Sequence, residues 1–140
     1  MIAIISIKIV REAPSAEELA YMYQDAEWID NPDPDKMLRS VNSESEWFVA
    51  RDDESNLLGI GRLITDYVRY AFIVDVIVKK EHRKKGVGKL IMYAVIAECR
   101  ALDIDSVNLW PSEGKVAFYE GLGFYSLPYS QPHMKLTSIE

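Results

Sequence analysis

Residues 71–102 have the pattern of one strand–loop–helix unit, and this unit narrows the folds open to the chain. The run "AFIVDVIV" (71–78) is apolar and rich in β-branched residues, apart from Asp75, which predicts a central strand buried on both faces. A loop with two glycines follows. Beyond Gly86, apolar residues recur at the spacing of one helix face: Val87, Ile91, Ala94, Val95 and Leu102. A buried strand that leads into a long helix favours a sheet with helices packed on its faces.

The other patterned segments predict the order β-α-α-β-β-β-α-β-α-β-β. "MIAIISIKIVRE" predicts the first strand, because its apolar run ends in the alternation "ISIKIV" and it lacks the basic start and the cleavage site of a secretory signal. In "APSAEELAYMYQDAEW", Ser15 and Glu18 have capping-box spacing and predict a helix start. The remaining segments are a weaker helix in "DPDKMLRSVNSE", a hairpin from "EWFVARD" and "LLGIGRLITDY", a strand in "DSVNLW", a helix in "SEGKVAFYEGL" closed by Gly123, and a last hairpin around "FYSL" and "HMKL".

Length and composition limit the classes of function. The 140 residues match one ordinary domain, and the longest apolar run is well short of the roughly 20 residues of a membrane-spanning helix. The single cysteine, Cys99, rules out an intramolecular disulfide and fits a reducing compartment, so we expect a cytoplasmic protein. Its spacing from Val95 suggests a core thiol. Two histidines and one cysteine far apart in sequence indicate no metal site.

A dense basic cluster stands out in this acidic chain, which has 16 Lys and Arg against 22 Asp and Glu. Six basic residues lie within positions 79–89: Lys79, Lys80, Arg83, Lys84, Lys85 and Lys89. Amides at a helix start carry partial positive charge, and glycines let a ligand approach them, so the cluster predicts a phosphate or pyrophosphate site. On charge alone, a solvated basic turn explains the cluster equally well.

The glycine spacing distinguishes among phosphate loops. Leu90 follows Gly88-Lys89 where a Walker loop needs Ser or Thr, and Ile91 stands where a dinucleotide fingerprint needs its third glycine. Arg83-x-x-Gly86-x-Gly88 instead resembles the [QR]-x-x-G-x-[GA] signature of the GNAT superfamily of acyl-CoA-dependent N-acyltransferases. "FYEGLGF" (118–124) is similar to that family's "FYEKLGF" block, and "LLGIGRLI" resembles the strand before its cofactor strand.

The resemblance covers essentially the whole chain and implies a fold. We expect an α/β (α+β) fold in one N-acetyltransferase domain over residues 1–140. Its mixed, largely antiparallel sheet has about six to seven strands flanked by about four helices. The implied reaction is transfer of an acetyl group from acetyl-CoA to a primary amine of a small molecule or peptide, by direct attack in a ternary complex.

The resemblance also implies a coenzyme A site. The pyrophosphate is held by the loop amides, and the pantetheine arm pairs with the cofactor strand, where the amide near Val76 donates to the thioester oxygen. The implied cofactor-binding residues are Val76, Ile77, Val78, Arg83, Lys84, Lys85, Gly86, Val87, Gly88 and Lys89.

Two residues are candidates for catalysis. Tyr119 matches the family tyrosine that protonates the departing thiolate; the alternative is that it only packs with Phe118 and Phe124. Asp75 is the one charge inside the apolar strand, and an ionised carboxylate there is costly unless it is paired. It is therefore either the structural partner of a cation or backbone group, or a carboxylate that faces the cleft as base, and the family often uses water instead.

Two other classes of function remain as alternatives. A catalytically inactive acyl-CoA-binding sensor has the same loop but no turnover. A nucleic-acid module uses the basic run as a phosphate patch, which the acidic chain disfavours. We expect an amine acceptor as partner, no nucleic acid, no membrane and no metal, in a monomer or homodimer. The sequence identifies neither the acceptor nor the preferred acyl chain.

Overall fold

The protein is described by a computed structural model that covers residues 6–138. Its strands are β1 (Lys8–Val10), β2 (Glu46–Arg51), β3 (Leu57–Thr65), β4 (Tyr70–Val78) and β5 (Ser106–Leu109). Its α-helices are α1 (Ala16–Asp25), α2 (Pro34–Val41), α3 (Val87–Ala101) and α4 (Val116–Glu120), and a 3₁₀ turn covers Lys80–His82. The first five residues of the predicted first strand lie outside the described residues.

One open sheet organises the fold, with its strands in the order β1-β2-β3-β4-β5. The pairs β1/β2, β2/β3 and β3/β4 are antiparallel. The described residues thus contain five strands and four α-helices in a mixed α/β arrangement. This confirms the predicted fold class, although the strand count is below the expected six to seven.

The described chain divides into two compact units, one ending at Asn108 and the other beginning at Leu109. The first unit contains the helices α1 to α3 and nearly all of the sheet. The second contains α4 and the segment that follows it. The single N-acetyltransferase domain over residues 1–140 stays a prediction.

Local sequence signals set the helix starts in the first unit. Ser15 Oγ accepts the Glu18 amide at 3.0 Å and the Glu18 carboxylate accepts the Ser15 amide at 2.9 Å, so the predicted capping box is confirmed. The second helix begins after Asp33, whose side chain accepts the Asp35 amide, and Pro34 occupies its first turn. Proline suits that position because the first-turn amides have no partner inside the helix.

Helices cover both faces of the sheet. Gly59 and Gly61 lie beneath α3: a methyl group placed on Gly61 would stand only 2.6 Å from Cγ2 of Ile91. Neighbouring Ile60 points to the opposite face because side chains alternate along a strand, and it packs in the core formed with α1 and α2. The "GIG" sequence therefore lets α3 approach the sheet closely while Ile60 fills the other side.

β4 departs from the expected regular strand. Arg62 pairs with Val74 and Ile60 pairs with Ile77, so Asp75 and Val76 together lie opposite the single residue Gly61. This is a β-bulge. The prediction that β4 is buried on both faces was wrong: only Ala71, Ile73 and Ile77 are fully buried.

The bulge explains this burial pattern. Ile73 lies opposite Leu63, on the face of Gly61 and α3, whereas Ile77 belongs to the core of α1 and α2. The extra residue thus moves the apolar positions of β4 from one face of the sheet to the other.

The predicted last hairpin was also wrong for the described part of the chain. α4 is followed by Gly123, at φ 101°, and residues 124–138 contain neither helix nor strand. Pro128 and Pro132 interrupt this segment, and proline has no N–H for a sheet ladder. A turn is present here instead, in which the Gln131 N–H donates to the Pro128 carbonyl at 2.8 Å.

Candidate active site

The basic loop between β4 and α3 has a tightly turned backbone. The His82 N–H donates to the Lys79 carbonyl at 2.8 Å, and the Arg83 side chain turns back so that Nε donates to the Val78 carbonyl at 3.1 Å. Lys84 and Gly86 both have left-handed φ values, 64° and 82°. Glycine adopts that conformation without a steric penalty, which explains its use at the residue that begins α3.

The first turn of α3 presents uncapped amides. Gly86 is the N-cap and has no side chain to accept a hydrogen bond, and the first turn of α3 contains no acidic residue. The first helical hydrogen bond runs from the Leu90 N–H to the Gly86 carbonyl, so the amides of Val87, Gly88 and Lys89 precede the ladder. Such amides, with the helix dipole behind them, favour an anion.

The five lysines of this loop fall into two groups. Lys79 and Lys80 are engaged elsewhere: the Lys79 ammonium lies over the Tyr21 ring, and Lys80 Nζ is 3.5 Å from a carboxylate oxygen of Glu27. The second group consists of Lys84, Lys85 and Lys89. All three are exposed, and none is within 4.0 Å of a carboxylate among residues 6–138. These three leave positive charge beside the uncapped amides, which favours an anion there, and the diphosphate site stays a prediction.

The end of β4 leads directly into this loop. Ile77 and Val78 pair with Ile60 and Gly59 of β3; Ile77 is buried in the core, whereas Val76 and Val78 are half-buried. Of the three predicted strand positions, Val76 and Val78 therefore keep accessible side chains. At the bulge, the extra residue has no partner on β3, which frees one backbone amide at Asp75 or Val76 from the ladder.

Asp75 occupies the bulge itself, at φ 53°. Its Oδ2 accepts a hydrogen bond from the Tyr23 hydroxyl at 2.8 Å and lies 3.5 Å from Nη1 of Arg62. Burial and the neighbouring carboxylate both raise the pKa of Tyr23, so the phenol stays protonated and donates to Asp75. Of the two roles that the sequence left open for Asp75, these contacts favour the structural partner of a cation.

The contacts of Arg62 and Tyr23 with Asp75 were not predicted from the sequence. Tyr23 is 52 positions from Asp75 and its contact depends on the packing of α1 on the sheet, whereas Arg62 reaches Asp75 from the neighbouring strand β3. One signal was available: a lone carboxylate in an apolar strand needs a cation, and Arg62 is the one basic residue in the neighbouring strand, "LLGIGRLIT".

Tyr119 lies on α4, in the second unit. It makes edge contacts with the rings of Phe118 and Phe124, at centroid distances of 5.0 and 6.0 Å, as the packing alternative expects. Burial also raises the pKa of the phenol above its ordinary value of about 10, so Tyr119 keeps its proton at neutral pH. The packing and the acid role are compatible, and the acid role stays a prediction.

No group of three or more metal-binding side chains occurs among residues 6–138. Cys99 is buried on α3, where burial raises the pKa of its thiol, in keeping with a core residue. Within the same range, no helix is both long enough and apolar enough to cross a membrane.

Residues 8–124 match the acetyltransferase (GNAT) family, which is well over half of the chain. The chain belongs to the GNAT family. Similarity to solved GNAT structures extends over nearly the whole molecule. A probable acetyltransferase from meticillin-resistant Staphylococcus aureus shares 20% identity at a TM-score of 0.83, covering 95% of this chain and 100% of that chain. A GNAT family protein from Streptococcus pneumoniae shares 23% identity at a TM-score of 0.78, covering 98% and 100%. At these identities the likeness shows the fold.

Curated relatives are similar over a shorter segment. An uncharacterized N-acetyltransferase, ycf52, from Pyropia yezoensis is 31% identical over 78 residues, which cover 56% of this chain and 45% of the relative. A chloroplastic GCN5-related N-acetyltransferase from Arabidopsis thaliana is 31% identical over 78 residues, 56% of this chain and 30% of the relative. The aligned segment thus spans less than half of each relative's own length.

Proposed function

We propose that this GNAT protein transfers an acetyl group from acetyl-CoA to a primary amine of a small molecule or peptide, by direct attack in a ternary complex. The observation that carries the proposal is the uncapped first turn of α3. Gly86 opens the backbone there, and Lys84, Lys85 and Lys89 add unpaired positive charge. This arrangement suits a diphosphate, which coenzyme A contains.

In this proposal, two parts of the first unit bind coenzyme A. The amides of residues 83–89 bind the pyrophosphate. The backbone of Val76, Ile77 and Val78 pairs with the pantetheine arm, and the side chains of Val76 and Val78 are accessible beside it. Acetyl-CoA supplies the activated acyl group, so the protein chiefly positions two reactants.

The free amide at the bulge stabilises the negative charge that develops on the thioester oxygen in the transition state. We assign this role to Val76, whose N–H donates to the thioester oxygen as negative charge builds there. A fixed donor in a dry cleft is worth on the order of 10²–10³ in rate. The structural support is the register: Asp75 and Val76 share one partner on β3.

Tyr119 acts as general acid in this proposal and delivers its proton to the departing thiolate. Its raised pKa keeps the phenol protonated throughout the neutral range. The amine must lose a proton before or during its attack, and we assign this step to water rather than to Asp75, because Asp75 Oδ2 is already bound by Tyr23 and lies close to Arg62.

The test is an acetyl-CoA consumption screen against amines, amino acids and peptides, repeated with Tyr119→Phe. We expect turnover with one class of amine, a fall of about 10²-fold or more in kcat for Tyr119→Phe, and unchanged coenzyme A affinity. Tyr125→Phe is the matched control, because Tyr125 is 82% exposed in the same unit. Tight coenzyme A binding without turnover on any amine would instead support the acyl-CoA sensor and reject the transferase.

A further inference from the structure

Arg62 is held in an unusually complete set of contacts. The guanidinium has five N–H donors, and the structure gives each of them a nearby acceptor. Nε lies 2.9 Å from Ser45 Oγ. Nη1 lies 2.9 Å from Ser40 Oγ and 3.5 Å from Asp75 Oδ2. Nη2 lies 2.7 Å from Ser43 Oγ and 3.4 Å from the Ser40 carbonyl oxygen. The guanidinium also lies 4.5 Å from the ring centre of Trp47. Its position is therefore fixed by α2, by β2 and by the chain that joins them.

The Arg62 guanidinium contacts the bulge through one carboxylate oxygen, Oδ2 of Asp75. Oδ2 of Asp75 is reached by Arg62 from β3 and by the Tyr23 hydroxyl from α1. The side chains of Arg62 and Asp75 are only 12% and 15% exposed, so water screens the pair little. Tyr23 is itself buried in the core of α1, α2 and the sheet.

The contacts matter because Asp75 has a strained backbone. A left-handed φ is unfavourable for an ordinary residue with a Cβ, and Asp tolerates it better than most. A carboxylate held at two points favours that conformation over a regular strand. The same backbone conformation sets the direction of the next peptide group, whose N–H belongs to Val76.

We propose that Arg62 and Tyr23 are positioning residues, which act through the Asp75 carboxylate to aim the Val76 amide at the reacting thioester. This inference rests on the proposed acetyltransferase function. It assigns Asp75 to the support of the bulge rather than to proton removal. Neither Arg62 nor Tyr23 needs to touch a substrate for this role.

The experiment compares Arg62→Lys, Tyr23→Phe and Asp75→Asn with two matched controls. Arg51→Lys removes an equally buried guanidinium that binds Glu12 and Glu18 instead of the bulge. Tyr67→Phe removes a hydroxyl that binds a carboxylate away from it, that of Glu46. Each variant is assayed for kcat, for KM of acetyl-CoA and for the pH dependence of kcat/KM. The three-bond HN–Hα coupling of residue 75, which reports its φ angle, is measured by NMR on the same proteins.

We expect Arg62→Lys and Tyr23→Phe to lower kcat by about 10- to 10²-fold, because a donor displaced by about 1 Å costs that much. The KM of acetyl-CoA should stay within about twofold, since the pyrophosphate site is untouched. The coupling at residue 75 should move toward that of an extended strand, and the two controls should match the wild type. Asp75→Asn should lower kcat while keeping the acidic limb of the pH profile.

Three outcomes overturn the inference. One is a kcat within twofold of wild type for both Arg62→Lys and Tyr23→Phe. Another is loss of the acidic limb in Asp75→Asn alone, which identifies Asp75 as the base. The third is an unchanged coupling at residue 75 in Arg62→Lys and Tyr23→Phe. If Arg62→Lys fails to fold, Tyr23→Phe, which removes one oxygen atom, gives the same test. If the wild type acetylates no amine, the proposed function fails, and the coupling still decides whether these residues hold the bulge.

Discussion

A methyl group at Gly61 should wedge α3 away from the sheet. A Cβ on Gly61 would lie 2.6 Å from Cγ2 of Ile91, about 1 Å closer than ordinary contact. Cγ2 is bonded to Cβ of Ile91, and a β-branched side chain in a helix has one strongly preferred χ1 rotamer, so moving this methyl group aside is costly. Overpacking of this kind costs about 1–3 kcal/mol, and replacing glycine returns about 0.4–1 kcal/mol by restricting the unfolded chain. The net loss should be about 1–2 kcal/mol, or roughly 3–7 °C in Tm for a chain of this size.

A double-mutant cycle tests this reasoning by thermal unfolding. Ile91→Leu removes the offending Cγ2 methyl at nearly constant volume, so Gly61→Ala with Ile91→Leu should be more stable than the sum of the single effects by about 1 kcal/mol. Gly121→Ala is the control, because a methyl group there meets carbonyl oxygens only at 3.4 and 3.5 Å. Additive effects of the two substitutions, or a Gly61→Ala variant as stable as the wild type, would refute the close packing of α3 on β3.

Three further predictions concern the loop, the buried thiol and acid stability. Gly86→Ala and Gly114→Ala each force alanine into the left-handed region at a site with open space, so each should lower the unfolding free energy by about 1 kcal/mol. Only Gly86→Ala should also weaken coenzyme A binding, measured by calorimetry. Equal affinities of the two variants for coenzyme A would contradict the loop assignment. Cys99 should react with a thiol reagent at pH 8 only as fast as the protein opens, because its sulfur is buried away from the reagent and burial also raises the pKa of the thiol. Immediate labelling would contradict the core position. The hydrogen bond from Arg51 lowers the pKa of Glu18 in the folded protein. The contribution of this ion pair to stability is therefore present above pH 4.5 and is lost as the pH falls through the lower folded pKa. Glu18→Gln should make the unfolding free energy less dependent on pH in this acidic range, and an unchanged pH dependence would contradict the ion pair.

Features that depend on neighbouring residues were predictable from the sequence. The capping box of Ser15 and Glu18 needs only a spacing of three residues, and the structure contains both of its hydrogen bonds. The glycine spacing from Arg83 to Gly88 led to the correct family, because that spacing describes a local backbone shape. The order of helices and strands through β5 also followed from local periodicity.

Features that depend on pairing between distant segments were missed. The bulge at Asp75 is a shift of register between β3 and β4. Because β4 is a nearly continuous apolar run, its hydrophobic pattern does not show where an extra residue is inserted. The contact between Tyr23 and Asp75 joins residues 52 positions apart. In the last segment, the apolar pattern of "FYSL" and "HMKL" favoured two strands. A strand also needs a neighbouring strand to pair with, which a local pattern does not reveal, and Pro128 and Pro132 interrupt the segment.

Calorimetric titration with coenzyme A and with pantetheine, which lacks the diphosphate and the 3′-phosphoadenosine attached to it, tests the central claim most directly. If the uncapped amides of α3 bind the diphosphate, coenzyme A should bind at least about 10²-fold more tightly than pantetheine, and added salt should weaken the binding of coenzyme A alone. Equal affinities for the two ligands, or no heat of binding with either coenzyme A or acetyl-CoA, would contradict the account.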